Sequence, residues 1–153
     1  CYNKNMQMQC KIFSLAVFVI FSLPCVIEDF KTLKINPWNA YYGTVILALA
    51  SIIFYPEVLG DSLISCGGLL LVFLVTRLIV KEKLGLGDVK YSLFSGFACG
   101  NIILALAGLG ISCVLTGITF LCLKISGKTA QIKKLPFVPF MFLGTVCVMF
   151  YGM

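Results

Sequence analysis

The sequence contains no histidine in its 153 residues. That absence removes Ser-His-Asp and Cys-His nucleophilic systems, imidazole general bases and His-ligated metals. Any chemistry falls to carboxylates, lysines, hydroxyls or thiols. Charge is also scarce: Asp, Glu, Lys and Arg together make 12% of the chain, against about 25% in a soluble domain. Acids are the rarer sign, with six against twelve Lys and Arg. The eight cysteines include no C-x-x-C pair, and most lie in apolar runs, which reads as thiols buried in hydrocarbon and not as metal ligands or a disulfide frame. No basic stripe interleaved with aromatics is present, so the net charge of +6 gives no sign of a nucleic-acid partner.

What is present is hydrophobic: 60% of the residues, with a mean hydropathy of +1.04. The length allows one domain, taken as 1–153. A bilayer core of about 30 Å takes about 20 helical residues, so the chain can supply roughly six short spans joined by tight loops. The fold class expected is therefore an all-α, polytopic membrane helix bundle. The chain begins at Cys1 without an initiator Met, consistent with a fragment or a processed product.

Apolar stretches run over Ile12 to Ile27, Trp38 to Tyr55, Ser62 to Val80, Tyr91 to Leu123 and Leu135 to Tyr151. The fourth is too long for one span and contains glycines that can break it, so the expected division falls at Gly100-Asn101. Charge placement supports that division independently. On six segments, Lys31, Lys34, Arg77, Lys81, Lys83, Lys90 and the lysines at 124, 128, 133 and 134 all reach one compartment, ten of the twelve cations. The positive-inside rule makes that side the cytoplasm. Five segments would scatter them. Lys4 and Lys11 are the exceptions. The lysines read mainly as topology determinants and contacts to anionic lipids, and Trp38 with tyrosines 41, 42, 55 and 151 as interfacial belts.

The same sorting divides the acids. Glu57 and Asp61 fall in an outer loop, while Glu28, Asp29, Glu82 and Asp88 fall at cytoplasmic ends of segments. Asp29 closely follows the first apolar run and Asp88 closely precedes the fourth, so both reach the membrane boundary on one face. An ionisable group at that depth marks function or a paired partner. Asp88 stands in Gly85-Leu86-Gly87-Asp88-Val89-Lys90, where the glycines allow unusual backbone paths and close approach of another chain. Two nearby carboxyls share a proton, one acting as base on water while the other polarises a scissile carbonyl. Alternatively, the two acids bind a cation or a lysine in a non-catalytic transporter subunit or assembly factor.

Three patches carry a family resemblance. Asp29-Phe30-Lys31-Thr32-Leu33-Lys34-Ile35, the Gly85 to Tyr91 stretch, and Leu135-Pro136-Phe137-Val138-Pro139-Phe140 with Gly144 resemble the type IV prepilin peptidases, membrane aspartyl proteases of the Gly-x-Gly-Asp class. The resemblance implies Asp29 and Asp88 as the catalytic pair, with Gly85, Gly87 and Lys90 as supporting motif positions and neither a metal nor a cofactor. It also implies cleavage, at the cytoplasmic face of the inner membrane, of the leader of a pilin-like precursor. Two departures stand out. This chain has Ile35-Asn36-Pro37 where the family usually reads Ile-Pro-Asn, and it lacks the paired C-x-x-C region that larger members associate with methylation. The likeness is to compact, peptidase-only forms without methyltransferase activity.

Overall fold

A computed structural model of the chain describes residues 4–32, 37–54, 56–79, 85–126 and 136–152. Six helices form and no strand is present among the described residues: α1 (Lys4–Thr32), α2 (Pro37–Phe54), α3 (Pro56–Ile79), α4 (Leu86–Cys99), α5 (Ile102–Ile125) and α6 (Val138–Tyr151). Three of them contain stretches long and apolar enough to cross a membrane: Met8–Lys31, Pro56–Ile79 and Ile102–Ile125. The all-α membrane bundle anticipated from composition is what the chain forms.

The break inside the fourth apolar stretch falls where cap chemistry permits it. Gly100 ends α4 in the left-handed region at φ 62°, its N–H bonded to the Phe97 carbonyl at 3.2 Å. Such a φ suits glycine because a Cβ would clash there. Asn101 then caps α5, its side chain accepting the Ile103 N–H at 2.8 Å. Helices α1 to α4 begin earlier than their apolar runs do. Pro56 opens α3, with Glu57 in its first turn, so Glu57 and Asp61 are helical and not in a loop. Proline gives up no needed N–H at a helix start, and an acid there meets the positive end of the helix. Similarly α4 starts at Leu86, which makes Gly87 and Asp88 helical. The connections holding Lys34, Lys81, Lys83, Lys128, Lys133 and Lys134 lie outside the described residues.

Helix α4 is the centre of the bundle and packs against each of the others. Its buried face includes Val89, Tyr91, Phe94 and Phe97. Phe18 of α1 joins them, with ring centroids 5.0 Å from Phe94 and 5.9 Å from Phe142 of α6. Small residues allow the closest approach: a Cβ added at Gly96 would lie 2.8 Å from the Ser65 carbonyl oxygen and 2.9 Å from Cys66 Cα of α3. Between helices in a membrane, where burial against lipid gains little, such contacts and buried hydrogen bonds do the holding. Two hydroxyl pairs serve α4: Tyr91 donates to Ser22 of α1 at 2.9 Å, and Ser95 pairs with Thr145 of α6 at 2.6 Å.

A cavity of about 290 Å³ fixes how the helices alternate. It is lined by Lys11 of α1, Ser51 of α2, Asp61 of α3, Cys99 of α4, Leu104 of α5 and Gly152 after α6. The starts of α1, α3 and α5 therefore meet the ends of α2, α4 and α6. At the opposite end stand the ends of α1, α3 and α5 with the starts of α2, α4 and α6.

Candidate active site

That opposite end gathers both aspartates. Asp29 lies in the last turn of α1, seven residues beyond Ser22 and four beyond Cys25, so all three sit on one helix face. That face is buried: Ser22 and Cys25 are inaccessible and Asp29 is 5% exposed. A buried carboxylate needs partners, and this one finds them at the start of α6. Asp29 Oδ2 accepts the Val138 N–H at 3.1 Å, and the Phe137 N–H is directed at the same carboxylate.

The sequence around 137 explains why those N–H groups are free to donate. A helix start leaves its first N–H groups without intrahelical acceptors. Phe137, the N-cap, offers no side-chain acceptor, and Pro139 has no N–H. The Phe140 N–H turns back onto the Phe137 carbonyl at 3.1 Å. Phe137 and Val138 are left; Asp29 takes the Val138 N–H and faces that of Phe137.

Asp88 lies in the first turn of α4, outside the three long apolar helices. The Gly85 N–H, at the N-cap, is bonded to its carboxylate, the returning half of a capping box. Gly85 itself has φ −61° and ψ 136°, an extended conformation open to any residue. Its small size matters instead, because a Cβ there would stand 3.0 Å from Asp88 Oδ2. Burial and then the nearby charge of Asp29 push the Asp88 carboxyl up to about 6, against the pull of the Gly85 N–H.

The Tyr91–Ser22 hydrogen bond sits beneath the two acids. Tyr91 is three residues beyond Asp88 and Ser22 is seven before Asp29, so this contact, with Phe18 packed on Tyr91 and Phe94, ties together the helices that carry the carboxyls. Of the remaining motif positions, Gly87 is helical. Lys90 reaches across to α2, its Nζ 5.8 Å from the centre of the Tyr41 ring. No three His, Cys, Asp or Glu come together as metal ligands among the described residues. The cavity noted above belongs to the other end of the bundle and holds neither acid.

Sequence reasoning brought Asp29 and Asp88 to one face and did not identify the groups that hold them. Ser22 and the N–H groups of Phe137 and Val138 gave no local signal. Tyr91 stood inside the Gly85 to Tyr91 stretch but carried no assigned task.

An α-helical bundle with membrane-spanning stretches, two carboxyls at one end and the charge of Asp29 acting on Asp88 define a membrane protein with both acids at helix termini on one side. Over residues 16–153 the chain matches the family model of the type IV leader peptidases, and it belongs to that family. It is a peptidase by that membership. Neither curated proteins nor solved structures gave a match.

Proposed function

We propose that the chain is an aspartic endopeptidase that removes the leader of pilin-like precursors, with Asp29 and Asp88 as its catalytic pair. The observation that carries this reading is the arrival of both carboxyls, from helices 59 positions apart in sequence, at one end of the bundle, where the charge of one acts on the other. Such a pair ionises in two steps and holds one proton between them over a range of pH. The ionised carboxylate takes a proton from water as the water oxygen attacks the scissile carbonyl. The protonated partner donates to the carbonyl oxygen and then accepts from it as the C–N bond breaks and the amine leaves with a proton. Both carboxyls return to their starting states.

The one-sided cations support a cytoplasmic site. Lys31, Arg77, Lys90 and Lys124 stand on the helix ends that carry the acids, the side the positive-inside rule assigns to the cytoplasm. A precursor would lay its apolar helix against the bundle in the inner membrane, with its leader among these cations and the anionic lipids. One domain, 1–153, performs the cleavage, with no cofactor and no methyl transfer.

The test is processing of a type IV prepilin co-expressed with Asp29→Asn, Asp88→Asn and Asp88→Glu variants. All three are expected in the membrane at parental amounts, with the precursor left uncleaved. Cleavage by either Asn variant would exclude the pair, and activity of Asp88→Glu would point to a cation site, since one added methylene displaces a catalytic carboxyl.

A further inference from the structure

We infer that the first turn of α6 is the positioning element of the acid pair, and that the N–H groups of Phe137 and Val138 make Asp29 the member that takes the proton from water. The inference rests on the reading of Asp29 and Asp88 as catalytic and adds to it a division of labour.

The two carboxyls are held differently. Asp29 receives the Val138 N–H at 3.1 Å, faces the neighbouring Phe137 N–H, and lies at the positive end of α6. Asp88 receives one, from Gly85, and faces the charge of Asp29. Hydrogen bonds to the charged form favour that form, while a like charge disfavours it. Among the described residues no further charged side chain on the helices packed against α1 adds to this difference. Of the helices packed against α1, neither α2 nor α6 carries a charged side chain, and α4 brings only Asp88 and Lys90. The Lys90 ammonium lies over the Tyr41 ring. Glu28 and Lys31 are the neighbours on α1 itself. The Asp29 carboxylate is thus oriented by backbone that cannot rotate away, as a general base requires.

Phe137-Val138-Pro139 acquires a task from this arrangement. Pro139 withholds an N–H from the helix start, and the absence of an N-cap side-chain acceptor at Phe137 leaves its neighbours free, so the turn presents its donors to a carboxylate 109 residues away.

The experiment replaces single amides of the full chain with esters, by incorporating the α-hydroxy acid of the same side chain, and reconstitutes the enzyme in vesicles with a type IV prepilin. An ester at Val138 deletes the N–H facing Asp29 and leaves the side chain intact. An ester at Met141 deletes an N–H in the same first turns, one that donates to the Phe137 carbonyl at 3.1 Å, and so controls for general weakening of α6. The Val138 ester is expected to lower kcat about tenfold with KM little changed, as loss of one charge-assisted hydrogen bond implies. It should also move the acid limb of the pH profile upward by about one unit. The Met141 ester should leave that limb in place. Should the Val138 ester fail to accumulate, an ester at Phe137 carries the same expectations. A parental kcat and acid limb in the Val138 ester would overturn the inference, as would equal losses in both esters with no movement of the limb. Failure of the underlying reading looks different, because Asp29→Asn and Asp88→Asn would then still process the precursor.

Discussion

Replacing Gly96 with alanine adds one methyl where α4 lies against the backbone of α3. The new Cβ would stand 2.8 Å from the Ser65 carbonyl oxygen and 2.9 Å from Cys66 Cα. Carbon contacts relax near about 3.5 Å, so the helices must part by roughly 0.6 Å. Neither neighbour is a side chain that can swing aside. Overpacking of this kind costs about 1–3 kcal/mol. The consequence for activity travels along α4, since Asp88 lies eight residues nearer its start, about 12 Å away along one rigid helix. A misplacement of about 1 Å can cost about 100-fold, so a shift of this size should cost on the order of tenfold. The comparison is Gly67→Ala on α3, where an added Cβ meets no atom within 4 Å. Thermal unfolding in detergent and initial rates of prepilin shortening, normalised to folded enzyme, give the two numbers. Gly96→Ala is expected to lose on both and Gly67→Ala on neither. Equal stability and equal rates in the two variants would refute the idea that the α3–α4 approach sets the position of Asp88.

The remaining predictions concern protonation and the hydroxyl pair. Asp88, pushed up to about 6 by burial and Asp29, is protonated below that pH and ionised above it. A mechanism needing its proton should therefore lose kcat/KM as pH rises through about 6, and a rate that stays level across neutral pH would contradict that role for Asp88. The same raised value makes the folded state hold this proton more tightly than the unfolded state. Its contribution to stability is complete below the ordinary carboxyl value of 3.8 and fades as pH rises to about 6. Tyr91→Phe leaves the buried Ser22 hydroxyl without its partner, at a cost of about 0.5–1.5 kcal/mol in thermal unfolding. Adding Ser22→Ala should recover most of that loss, because removing both partners leaves nothing unsatisfied, and no recovery would mean that the hydrogen bond contributes little.

The parts of the molecule legible in the sequence were those with local causes. Gly100-Asn101 reads as a break because a left-handed glycine followed by an amide cap is a property of adjacent residues, and α4 and α5 divide there. The starts of α3 and α4 were misplaced because apolar runs do not register a first turn made of Pro56-Glu57 or of Leu86-Gly87-Asp88. Charge sorting sent Asp29 and Asp88 to one face without any pairing information, since alternation of helices is enough to decide it. What holds the acids was invisible for a different reason. The Asp29–Val138 bond spans 109 positions and the Ser22–Tyr91 bond spans 69, and no spacing rule reaches that far.

Helix α4, which carries Asp88, has 14 residues between Gly85 and Gly100. It rises roughly 21 Å, well short of a hydrocarbon core of about 30 Å. A span shorter than the core is accommodated by local thinning of the bilayer. On the proposed mechanism each turnover consumes a water molecule, and a bilayer thinned around the short central helix would bring that water nearer to Asp88 than the longer α1, α3 and α5 alone would allow.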